Sequence, residues 1–119
     1  MHPVGLSLSE AIERFRRHAG DTEAARLYLS LLEGARARWE PAIEVHDWRL
    51  DLLSLRARGR DSQQIQVDYR RRDGEPIVVF SLGPPGMNAS PAVTGDICRP
   101  ETAPQVLDAF LLQIAQPAS

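Results

Sequence analysis

The sequence predicts an α+β fold. It has an N-terminal helical hairpin, an antiparallel sheet of 4–5 strands with its meander core over 50–82, and a C-terminal helix. The helices lie on one face of the sheet. Three observations predict this. Apolar residues recur at helical spacing in the first third of the chain, the period drops to two from Ala42, and helical spacing returns after Thr102.

Ser7-Leu8-Ser9-Glu10 has the form of a capping box, in which Ser7 and Glu10 satisfy each other's backbone N–H. Leu8, Ala11, Ile12, Phe15 and Ala19 then share one helical face, and Gly20 is a natural stop. Asp21 is placed to cap a second helix, along which Ala24, Leu27, Tyr28, Leu31, Leu32 and Ala35 form a wide apolar stripe. Gly34 weakens that helix by about 1 kcal/mol relative to Ala. The helix is expected to end there or to fray through Arg38, and Pro41 stops it.

Ile43 and Val45 alternate with Glu44 and His46. Asp47-Trp48 is expected to bend, because Leu50 to Arg58 changes phase. Gln64 to Arg72 and Glu75 to Leu82 flank Asp73-Gly74, the residue pair preferred in type I′ hairpin turns. A two-residue turn pairs Arg72 with Glu75, Tyr69 with Val78, Val67 with Phe80 and Ile65 with Leu82, so every apolar residue meets another. A loop over 59–63 then sets Leu53, Leu55 and Ala57 opposite Tyr69, Val67 and Ile65, and Asp51 opposite Arg71. One face is apolar. The other carries Arg56, Arg58, Gln64, Gln66, Asp68, Arg70 and Ser81, with Leu52, Ile77 and Val79 as apolar exceptions clustered near one end. GPPGMNASP (83–91) reads as a loop, and 92–98 as one more short strand weakened by Gly95. Thr102-Ala103-Pro104-Gln105 is a second capping box, leading a helix with Val106, Leu107, Phe110, Leu111 and Ile114 inward.

The 119 residues are read as one domain, 1–119, long enough for a core that needs no staple. Apolar and charged fractions of 43% and 25% are those of an ordinary globule. The net charge of -2 provides no global field for nucleic acid or an acidic membrane. All 14 basic residues are arginine, which is read as GC-rich codon usage. One cysteine excludes an internal disulfide. The N-terminus lacks the signal-peptide pattern, no apolar run spans a bilayer, and a cytoplasmic location is expected.

His2, His18 and His46 form no metal-ligand pattern, and no metal is expected. Cys98 beside Arg99 is a nucleophile only with a base such as His46 in reach, and it is read as a buried filler. No P-loop, GxGxxG or GxSxG motif occurs, and the prolines of 83–91 remove amide donors a phosphate would need. No catalytic residue and no cofactor are assigned. Arg70, Arg71 and Arg72 alternate faces along a strand, which leaves Arg56, Arg58 and Arg70, with Arg60 nearby, as the best basic group.

The stretch WRLDLLSLRARGRDSQQIQVDYRRRDGEPIVVF (48–80), following a helical hairpin, resembles the central hairpin of RelE/ParE-type toxins. Those toxins cut or clamp nucleic-acid machinery. The likeness rests on pattern over about a third of the chain. Such toxins are strongly basic and begin with a strand before the helices. This chain departs on both counts, and no residue role carries over.

The leading expectation is a small non-catalytic protein-binding or regulatory module of immunity, antitoxin, chaperone or adaptor type. It would act through the patterned sheet face, with Leu52, Arg56, Arg58, Arg70, Ile77 and Val79 as binding residues. The partner is another protein or a second copy, forming a homodimer, and not a membrane. One alternative is a small-molecule-binding domain or enzyme, with a pocket between helices and sheet lined by Trp39, Trp48, Tyr28 or His46. The other is RNA binding through the arginine group, although nucleic acid is not the expected partner.

Overall fold

The computed structural model describes residues 5–18, 20, 22–49, 52–60, 63–83 and 94–116, without the side chains of 47–49 and 94. The elements run β1 (Leu6–Ser7), α1 (Leu8–His18), α2 (Glu23–Trp39), β2 (Ile43–Arg49), β3 (Leu52–Ala57), β4 (Gln64–Arg72), β5 (Glu75–Gly83), β6 (Thr94–Cys98), a 3₁₀ turn (Pro100–Thr102) and α3 (Ala103–Ile114). The architecture is the α+β one expected: a helix pair, an antiparallel sheet and a C-terminal helix. The described sheet has six strands rather than four or five, in the order β1-β2-β3-β4-β5-β6. The extra strand is β1, whose two residues pair with Val45 and Glu44. A strand therefore does precede the helices, contrary to the sequence-based expectation. Two residues are too short for an alternating pattern to register.

The first capping box forms as expected. Glu10 N–H donates to Ser7 Oγ at 3.1 Å, and Ser7 N–H donates to Glu10 Oε1 at 3.0 Å. The bond that the charged carboxylate accepts from Ser7 N–H is the main cause holding Glu10 below the usual carboxylate range. Gly20 has a φ of +77°, the left-handed geometry that suits a residue without Cβ where the chain turns after α1. Ala19 and Asp21 lie outside the described residues. The cap of α2 is Thr22 instead of Asp21: its hydroxyl accepts from Ala25 N–H at 3.0 Å. The second helix passes Gly34 and ends at Trp39, ahead of the cis Glu40–Pro41 peptide. Burial of Trp39 and Leu32 outweighs the single glycine penalty. At the third helix the expected box is absent. Thr102 turns its hydroxyl back to Arg99 O at 3.1 Å, because a 3₁₀ turn already occupies that corner.

The β4–β5 hairpin has the register expected from its turn, residue by residue from Arg72↔Glu75 to Gln64↔Gly83. Asp73 (φ +54°) and Gly74 (φ +80°) both have the positive φ of a type I′ turn. The β3–β4 register differs from expectation by two residues. Leu53 faces Val67 and Leu55 faces Ile65, because Gly59 (φ +76°) and an Arg60 N–H bond to Ala57 O make a wider connection. A slip of two keeps every side chain on its face, so the apolar pattern could not detect it. The expected Asp51–Arg71 pair falls partly outside the described residues. Instead of a break at Asp47-Trp48, β2 carries a bulge at His46: pairing steps from Val45↔Leu55 to Asp47↔Ser54.

The helices cover the inner face of the sheet. Ile43, Val45, Leu53, Leu55, Ile65, Val67, Val78 and Phe80 are buried against Leu8, Ile12, Phe15, Tyr28, Leu32, Leu107 and Phe110. Phe15 meets Tyr28 edge-on at 6.4 Å, and Phe80 stacks on Phe110 at 5.6 Å. Tyr28 Oη accepts from Tyr69 N–H at 2.8 Å, beyond the described β3–β4 pairs. No helix among the described residues is long and apolar enough to cross a bilayer.

Candidate interaction face

The outer face divides into two unlike ends. Around β2 and β3 it is closed by polar contacts. Arg56 Nε donates to Glu44 Oε1 at 2.7 Å, and both side chains are nearly buried. Ser54 and Gln64 are buried as well. This face is therefore not simply left to solvent. Gly5 lies so close over Glu44 that a Cβ there would sit 2.8 Å from Glu44 Cδ.

The β4–β6 end is different. Cross-strand register sets Asp68, Val79 and Ile97 in one row, with Arg70 and Ile77 in the next. Ile77 and Val79 are half-buried, while Ile97 is 50% exposed. Charges of both signs rim this apolar strip. Arg70 is held by Asp68 Oδ2 at 2.6 Å, and Arg99 stands 3.9 Å from Glu75 at the hairpin end.

The structure thus brings together Arg70, Ile77 and Val79. Leu52 shares the face but lies beyond Asp68, since the β3–β4 register carried one step further sets it opposite that residue. Arg56 is engaged by Glu44 at the far end, six residues along β4 from Arg70, or roughly 20 Å at the strand rise. Arg58 has left the sheet. Its backbone bonds Ala42 O, and with Arg60 it lines a groove against Ile114 at the end of α3. The four arginines of the basic group are therefore not one cluster. Ile97 and Asp68 complete the strip; Asp68 was placed on this face from sequence but not among the binding residues, and Ile97 was not placed at all. The alternation in Thr94–Cys98 marks a strand, yet the length of the preceding loop leaves its facing undetermined.

Arg71 has the inward parity of its strand. It reaches the first turn of α2, where Nη2 lies 2.7 and 2.6 Å from the Glu23 carboxylate oxygens, and Tyr69 Oη also donates to Glu23. These bonds hold Glu23 below its usual range, led by the Tyr69 hydroxyl, and the same contact raises Tyr69. The two ends of the titration follow. Lowered Glu23 contributes stability above about pH 4 that is lost as pH falls through its folded value. Raised Tyr69 contributes below about pH 10 and is lost as pH rises through its folded value. Glu23→Gln should flatten both limbs of the melting temperature against pH; parallel curves for parent and variant would refute this role.

Tyr28 and Trp39 are core residues, and His46 sits exposed at the bulge. The side chain of Trp48 is outside the described set. A groove of about 220 Å³ between α2 and α3 touches Trp39, whose Nε1 donates to Asp108 Oδ1 at 2.8 Å, but it includes neither Tyr28 nor His46. Burial raises the Cys98 thiol, leaving it protonated at neutral pH. Among the described residues no three His, Cys, Asp or Glu side chains are grouped to hold a metal. Comparison with protein-family models, curated proteins and solved structures finds no match.

Proposed function

We propose that this chain is a protein-binding module that docks its partner on the outer sheet face at the β4–β6 end. The observation that carries this is the pairing of Val79 with Ile97, which puts a half-exposed isoleucine beside two further apolar residues on a largely polar face. Ile77, Val79 and Ile97 form the dry centre, and Arg70, Asp68, Glu75 and Arg99 form the rim. Covering the exposed part of Ile97 supplies about 1 kcal/mol, so the contact is modest and depends on several residues together. The mixed-sign rim suits a second copy, because a two-fold axis sets each Arg70–Asp68 pair against its own complement. An immunity, antitoxin, chaperone or adaptor role is compatible with a surface of this kind.

Changing Ile77 and Val79 together to Asp places charge in the dry centre without touching the core. Light scattering should show the variant as a monomer, and capture of the partner from the native host should fall at least tenfold. A doubly substituted protein with the parent's mass and the parent's capture would rule out this face.

A further inference from the structure

Among the described residues β6 is the last strand of the sheet, and its outer edge behaves differently from the sheet's face. A two-residue hairpin makes Arg72↔Glu75 a hydrogen-bonded pair. Alternation from there turns the backbone groups of Val78, Phe80 and Leu82 toward β6. Their partners Cys98, Asp96 and Thr94 point back to β5. Gly95 and Ile97 therefore aim their N–H and C=O groups outward, along the edge where a further strand would add. One of these outward donors is already used: Ile97 N–H donates to Asp96 Oδ1 at 2.8 Å. The Asp96 side chain is exposed, so its carboxylate also brings negative charge to the edge.

We infer that Asp96 is an edge guard: it occupies the outward N–H of Ile97 and so prevents β6 from pairing with β6 of a second copy. Antiparallel pairing of two such edges needs each Ile97 N–H to donate across the two-fold axis. It would also bring two Asp96 carboxylates close together, with nothing opposite to neutralise them. The guard leaves the outer face as the docking surface, but it does not depend on that face being one.

Asp96→Ala removes the guard at an exposed position and leaves the core intact. Light scattering over a hundredfold range of concentration should show a dimer, or larger species, beyond the parent's mass. The added species should persist when Ile77→Asp and Val79→Asp are also present, because those residues lie on the face and not on the edge. A mass equal to the parent's, or an added species that vanishes in the triple variant, would overturn the inference. In the parent, the Ile97 amide should exchange about tenfold more slowly than the Gly95 amide, after correction for intrinsic rates, because among the described residues an acceptor is found for Ile97 and not for Gly95. Equal protection of the two amides would also overturn it.

Discussion

Glu44→Ala should destabilise the protein by about 3–5 kcal/mol, because it strands Arg56 in a site with little access to water. Arg56 is 13% exposed and Glu44 9%, and the pair is closed by a 2.7 Å hydrogen bond. Urea unfolding should show a lower midpoint with an unchanged slope. Replacing both partners, Glu44→Leu with Arg56→Met, should cost much less, since no buried charge is left behind. A single variant that loses less than 1 kcal/mol would show that water reaches Arg56 freely. The pair lies at the end of the outer face away from Ile77, Val79 and Ile97. Partner binding per folded molecule should therefore be unaffected in Glu44→Ala, which separates stability from docking.

The second large effect is at Phe80. It faces Val67 on one side and Asp96 on the other, is fully buried, and stacks on Phe110 of α3. Phe80→Ala should cost about 3–5 kcal/mol through lost transfer energy and the cavity beneath α3. Calorimetry should record a fall in melting temperature of about 15 °C. Phe80→Leu fills most of that volume and should cost about 1.5 kcal/mol or less. Equal losses for the two variants would mean that the aromatic contact with Phe110, and not volume, sets the energy.

The β4–β5 hairpin was legible in the sequence because two signals agree there. Asp73-Gly74 specifies a two-residue turn, and the alternation of Ile65, Val67 and Tyr69 matches that of Val78, Phe80 and Leu82. The β3–β4 pairing was legible only to the nearest two residues, since a slip of two preserves facing and leaves the hydrophobic pattern intact. The capping box at Ser7 was readable because both of its partners lie within four residues. At Thr102 the same spacing misled, because a 3₁₀ turn took the hydroxyl for a carbonyl behind it.

Part of the candidate site followed from parity. Ile77, Val79 and Arg70 fall on one face once the hairpin is paired, and the three arginines of 70–72 divide between faces. Ile97 did not follow, because its facing depends on a register that no local signal sets. Neither did Glu44–Arg56 or Glu23–Arg71, whose partners are 12 and 48 residues apart.

The sequence by itself determined the class of fold, the order of the three helices and the five longer strands, the central hairpin with its register, and most of the apolar residues that face inward. Each of these depends on periodicity or on contacts within a few residues. Only the tertiary structure decided which arginines are engaged, where the sheet ends, that a residue as short as Gly5 lies over Glu44, and that Ile97 joins Val79. Those outcomes depend on distances between segments far apart in the chain, where many arrangements satisfy the same local pattern and only close packing of the whole selects one.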